Sequence, residues 1–97
     1  MKLLMAIYNV AIDEEVMETM KEIGVECYTK WPRVHGRGKK TGPRLDSHIW
    51  PGANAVTMFV LKDDVAARAM DAMRTLRGKI GHEGVKAFLL PVEDQTT

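Results

Sequence analysis

The sequence predicts an α+β fold of the β-α-β-β-α-β kind, in which a four-stranded antiparallel sheet carries two helices on one face (the ferredoxin-like arrangement). Two observations predict it. Four apolar, β-rich runs are separated by two stretches with helical spacing. The two strand–helix–strand units also follow each other without a linker in a chain of 97 residues, enough for one domain. Residues 1–92 are read as that domain and residues 93–97 as a flexible polar tail.

Each element has its own signal. Lys2 to Tyr8 is an apolar run, read as the first strand. Asp13 is placed to cap the first helix, where Ile12, Val16, Met20 and Ile23 recur at helical spacing and glutamates fill the other faces. Gly24 is its stop signal. Val25 to Val34 reads as the second strand, and Pro32 within it points to an edge or a bulge. Ala55 to Lys62 is the third strand. Asp63 is read as the cap of the second helix, with Ala66, Ala69, Met70, Met73 and Leu76 on one stripe. A glycine-punctuated connection, Gly78 to Gly84, leads to the fourth strand, Val85 to Val92.

The strands are apolar on both faces, which one layer of helices cannot cover. Leu3, Met5 and Ile7 alternate with Leu4, Ala6 and Tyr8; Val56, Met58 and Val60 alternate with Ala55, Thr57 and Phe59. The open face would leave a large apolar patch in water. Hiding several hundred Å2 is worth roughly ten kcal/mol at about 25 cal/mol per Å2, before the entropy of association is subtracted. A closed homo-oligomer is therefore expected; a loop folded over the sheet is the simpler alternative.

Bulk properties narrow the class without naming a partner. Apolar residues make up 45% and charged residues 28%, with a formal net charge of +1, which is ordinary globular composition. No apolar run is long enough to cross a bilayer, so the chain is not expected to be membrane-embedded. The lone Cys27 cannot form an internal disulfide, and a cytoplasmic setting is the expectation. Nucleic-acid binding has little behind it, since stacking aromatics are few and no recognition motif is present.

Two segments carry the chemistry. His35 to Asn54 holds four glycines and two prolines and is read as one long loop with extended arms. Arg33, Arg37, Lys39, Lys40 and Arg44 fall in or beside it with no acid before Asp46, and glycines 36, 38 and 42 sit among them. Glycines let a backbone approach a ligand, and N–H groups beside cations suit phosphate or carboxylate. A solvated basic loop is the plain alternative. Gly78, Lys79, Gly81 and Lys86 offer a second anion-suited set; their plain reading is helix termination, with Arg77 and Lys79 complementing the helix dipole. His35 and His48 bracket the long loop and are the candidates for a metal, although no close-spaced ligand pair occurs. Trp31 and Trp50 suit packing. Ser47-His48 has no orienting acid, and no paired carboxylates occur, so the chain is not expected to be an enzyme.

The order of elements, the long loop carrying Val34-His-Gly-Arg-Gly-Lys-Lys-Thr-Gly42, and Gly78-Lys-Ile-Gly81 ahead of the last strand resemble the PII signal-transduction superfamily. The resemblance implies a trimer whose sheets face one another, with ATP or ADP held in clefts between subunits. It implies that Gly36, Arg37, Gly38 and Lys39 form the base of a T-loop, with Lys40 beside them as a further ligand-binding candidate, and that Gly78, Lys79, Gly81 and Lys86 form a phosphate-binding B-loop. The T-loop would contact a target protein such as a transporter or an enzyme. Some PII-like relatives accompany heavy-metal transport, which would give His35 and His48 the role of a metal-responsive site. The chain departs from the family pattern at His82-Glu83, inside the B-loop segment.

Overall fold

The computed structural model describes residues 1–38, 42–44, 53–81 and 84–97. Its elements are β1 (Lys2–Asn9), a 3-10 turn (Val10–Ile12), α1 (Asp13–Glu22), β2 (Thr29–Val34), β3 (Gly36–Gly38), β4 (Gly42–Arg44), β5 (Asn54–Leu61), α2 (Asp63–Ile80) and β6 (Val85–Pro91). The main sheet has the order β2-β5-β1-β6 and every pairing is antiparallel. β3 and β4 pair as a separate two-stranded ribbon, the extended arms expected of the long loop. The predicted β-α-β-β-α-β architecture is the one observed.

The register sorts the side chains into two faces. Leu4, Ala6 and Tyr8 of β1 lie level with Phe59, Thr57 and Ala55 of β5, and all are buried. Val16 and Met20 of α1 and Ala66, Ala69, Met73 and Leu76 of α2 close over them. The small alanines at 6, 55, 66 and 69 let the helices lie close to the sheet.

Among the described residues no layer covers the opposite face. Its rows run Leu90–Leu3–Val60, Phe88–Met5–Met58–Thr29 and Lys86–Ile7–Val56–Trp31. Val60 is 54% exposed, and Phe88 and Trp31 are each 47% exposed. The doubly apolar strands of the sequence thus yield one filled face and one open one.

Helix α1 ends as Gly24 requires. Gly24 has φ +86, its N–H reaches the Lys21 carbonyl, and the Val25 N–H reaches that of Met20, a Schellman closure that buries Val25. β2 is an outer strand, and its pairing with β5 shifts register between Trp31 and Val34, so Pro32 marks both an edge and a bulge.

Four local expectations are corrected. Strand two begins at Thr29, because the Schellman closure occupies Val25. Asp13 is not the cap of α1: Ile12 holds that position after the 3-10 turn, and the Asp13 carboxylate is taken by other side chains. Asp63 is not a cap either. It stands in the first turn of α2 behind Lys62 and accepts a 2.7 Å hydrogen bond from the Met1 ammonium. Finally, α2 runs through Gly78 and Lys79 to Ile80, where the sequence predicts a glycine-punctuated connection. One exposed glycine costs a helix only about 1 kcal/mol, too little to end it. The stop is Gly81, with φ +103 and its N–H on the Arg77 carbonyl.

Candidate functional site

The two glycine-and-cation segments meet the sheet at the same end. β2 leaves the sheet at Val34, which pairs with Asn54 at the start of β5. Asn54 pairs with Asn9 at the end of β1. The Asn9 N–H reaches the Gly84 carbonyl just before β6 (3.3 Å), and the Val10 N–H reaches the Ala53 carbonyl (3.0 Å). A transverse line of contacts therefore joins the base of the long loop to the turn between α2 and β6. The two segments leave from the opposite outer strands, three inter-strand spacings apart, or about 14 Å.

On the loop side, Gly36 lies in β3 opposite Arg44, exposed Arg37 opposite Pro43, and Gly38 opposite Gly42. His35 is exposed between β2 and β3. Lys39, Lys40 and His48 lie outside the described residues, as do Ser47, Trp50, His82 and Glu83. Among the described residues no three His, Cys, Asp or Glu side chains gather to hold a metal ion.

On the helix side, Gly78 and Lys79 are exposed in the last turn of α2, and Gly81 is its cap. The helix brings its negative end here, and Arg77 and Lys79 in that turn oppose it, so an anion meets less repulsion than the dipole alone would give. Lys86 is exposed in β6 and lies on the open sheet face, level with Ile7. Within one chain, Lys86 and Lys79 therefore approach the sheet end from different elements.

Beneath this end runs a polar network that sequence reasoning missed. The Tyr8 hydroxyl donates to Asp13 Oδ1 at 2.6 Å. Having spent its proton there, it accepts from the Thr57 hydroxyl at 2.7 Å. Lys30 Nζ bridges both Asp13 oxygens at 2.8 and 2.9 Å and stands 5.0 Å from the Tyr28 ring centroid. Burial, then the Asp13 carboxylate, raises the Tyr8 phenol well above its ordinary 10.0. Burial pushes the Asp13 carboxyl up, but hydrogen bonds from Lys30 and Tyr8 outweigh it and hold Asp13 below its usual 3.8. The network ties α1 to β2, the strand from which the loop departs. The polar Thr57 inside an apolar strand was its one sequence signal.

The family model for nitrogen regulatory protein P-II matches residues 1–97, the whole chain. The chain belongs to the P-II family. Solved P-II-like structures share its fold. A PII-like signaling protein from Thermus thermophilus is 23% identical, with TM-score 0.64, covering 91% of this chain and 82% of that one. CPII, a nitrogen regulatory PII-like protein from Thiomonas intermedia, was solved bound to ADP, AMP and bicarbonate. It is 16% identical with TM-score 0.75, covering 91% and 81%. CPII bound to ADP and bicarbonate is also 16% identical, with TM-score 0.71, covering 96% and 88%. No curated protein matches the sequence. No helix among the described residues of this P-II family member is long and apolar enough to cross a membrane.

Proposed function

We propose that this P-II family member is a trimeric, cytoplasmic regulator that binds an adenine nucleotide at the end of the sheet and reads it out through the segment 35–54. The observation that carries the reading is the convergence of the two glycine-and-cation segments on one line of backbone contacts. Gly36, Arg37, Gly38, Lys39 and Lys40 would hold the ligand from one side, and Gly78, Lys79, Gly81 and Lys86 from the other. The open sheet faces of three copies would pack together, turning each sheet end into a cleft between subunits. The segment 35–54 would then contact a target protein, a transporter or an enzyme, with an affinity set by the occupied cleft.

Two findings support the ligand class. A nucleotide combines an anionic end with enough length for the gap of about 14 Å. CPII, which shares the fold, was solved with ADP, AMP and bicarbonate. The test is calorimetric titration of the purified oligomer with ADP and with ATP, each with and without bicarbonate. Saturable heat with ADP or ATP is expected, weakened by Arg37→Ala and by Lys79→Ala. Flat traces with both nucleotides, in both buffers, overturn the reading.

A further inference from the structure

We infer that Lys30 is a positioning residue: through a closed circuit of contacts its side chain sets the register of β2 on the sheet, and so fixes where the base of the long loop begins. Burial does not set that register. β2 is an outer strand, and no residue from Thr29 to Val34 is buried. A strand without a buried face is free to slip along its neighbour. Its ladder is also short: β2 meets β5 at Thr29, Lys30 and Trp31, shifts, and meets it again at Val34. Tyr28, just ahead of the strand, is 50% exposed, and its ring tilts toward Phe59 with centroids 6.4 Å apart.

The circuit supplies what burial does not. Lys30 Nζ holds the two Asp13 oxygens at 2.8 and 2.9 Å, Asp13 Oδ1 accepts from the Tyr8 hydroxyl, and that hydroxyl meets Thr57 Oγ1 at 2.7 Å. Thr57 is the ladder partner of Lys30, so the contacts close on the strand from which they started. Tyr8 and Thr57 are buried and the Lys30 side chain is only 16% exposed, so water screens this pair less than it screens a surface one. The circuit closes in one register alone. A slip of one residue turns Lys30 to the open face. A slip of two sets Tyr28 or Pro32 opposite Thr57, and neither brings a cation to Asp13. Arg37 follows on the same stretch of chain, so the register of β2 sets where it enters the proposed site. The effect on ligand affinity rests on the nucleotide reading above; the effect on register does not.

The test compares Lys30→Met, Asp13→Asn, the double variant and Lys30→Arg with the wild type. Nuclear Overhauser contacts between backbone protons of Thr29 and Met58, and of Trp31 and Val56, read the register, and those between β1 and β5 report an intact fold. Amide hydrogen exchange across Thr29–Val34 is measured alongside, without ligand. Lys30→Met and Asp13→Asn open the same circuit. Each is expected to weaken the two β2 contacts by about half or more and to speed β2 exchange about tenfold, the double no more than either single. Lys30→Arg keeps a donor fork for the carboxylate and is expected to hold the contacts, with exchange within about twofold of wild type. ADP affinity is expected to fall about fivefold in Lys30→Met and to recover in Lys30→Arg. Undiminished β2 contacts with unchanged exchange in either single variant, or effects that multiply in the double, would overturn the inference. If Lys30→Met does not fold, Asp13→Asn decides; collapse of both would make the circuit a general brace and also overturn it. If the wild type binds no nucleotide, the nucleotide reading fails alone and the β2 contacts still decide the role of Lys30.

Discussion

Asp13 shows how a residue that reads as a helix cap can be claimed by distant partners. Tyr8 and Lys30 both donate to its carboxylate, and the three bring β1, α1 and β2 to one point. Because its folded pKa is lowered, ionised Asp13 contributes stability that is fully present above the ordinary 3.8 and is lost as pH falls through the depressed value. The wild type should therefore lose stability steeply below about pH 4. Asp13→Asn should be less stable than wild type at pH 7, and the two should converge as pH drops toward 2. Denaturant midpoints between pH 2 and 7, at fixed protomer concentration, check this; parallel curves would show that Asp13 carries no such linkage. At this scale the sequence was least legible. Nothing in the spacing of residues 8, 13, 30 and 57 announces that they meet, since folding alone sets their neighbours.

Elements were more legible than their ends. Helical periodicity placed α1 and α2, and strand composition placed β1, β5 and β6, because burial imposes a repeat that side chains must obey. The ends depend on single backbone conformations. Gly78 and Gly81 look alike in sequence, yet one is an exposed helical residue with open space around it and the other a cap at φ +103. Alanine should separate them. Gly78→Ala should raise stability by up to about 1 kcal/mol through helix propensity. Gly81→Ala should lower it by about 1–3 kcal/mol, because an L side chain is strained there. Thermal unfolding of the two variants at equal concentration checks the opposite signs. On the proposed site, Gly78→Ala should also weaken ADP binding if backbone approach at that position matters.

For the whole molecule, the open sheet face is the feature with the largest energetic consequence. Its apolar rows were readable in the sequence because both alternating sets of each strand are apolar, and the structure shows which set the helices take. Which candidate site residues come together was only partly legible. The glycine-and-cation segments stood out by composition, but their arrival at one sheet end follows from the strand order. Phe88 stands exposed in the central row of the open face, on an outer strand, where a charge does little harm to the folded chain alone. On the proposed trimer, Phe88→Asp should therefore yield a folded monomer at micromolar concentration. Sedimentation velocity and circular dichroism together check this, and an intact oligomer would place the subunit contact elsewhere.

The bulge at Pro32 bears on a different hazard. An outer strand with a free row of donors and acceptors is a template on which stray chains can stack into fibrils. On β2 that row is interrupted, since Pro32 supplies no N–H and the strand loses register beside it. Edge-to-edge growth is discouraged at this rim, which leaves the greasy face as the surface through which the proposed trimer would assemble.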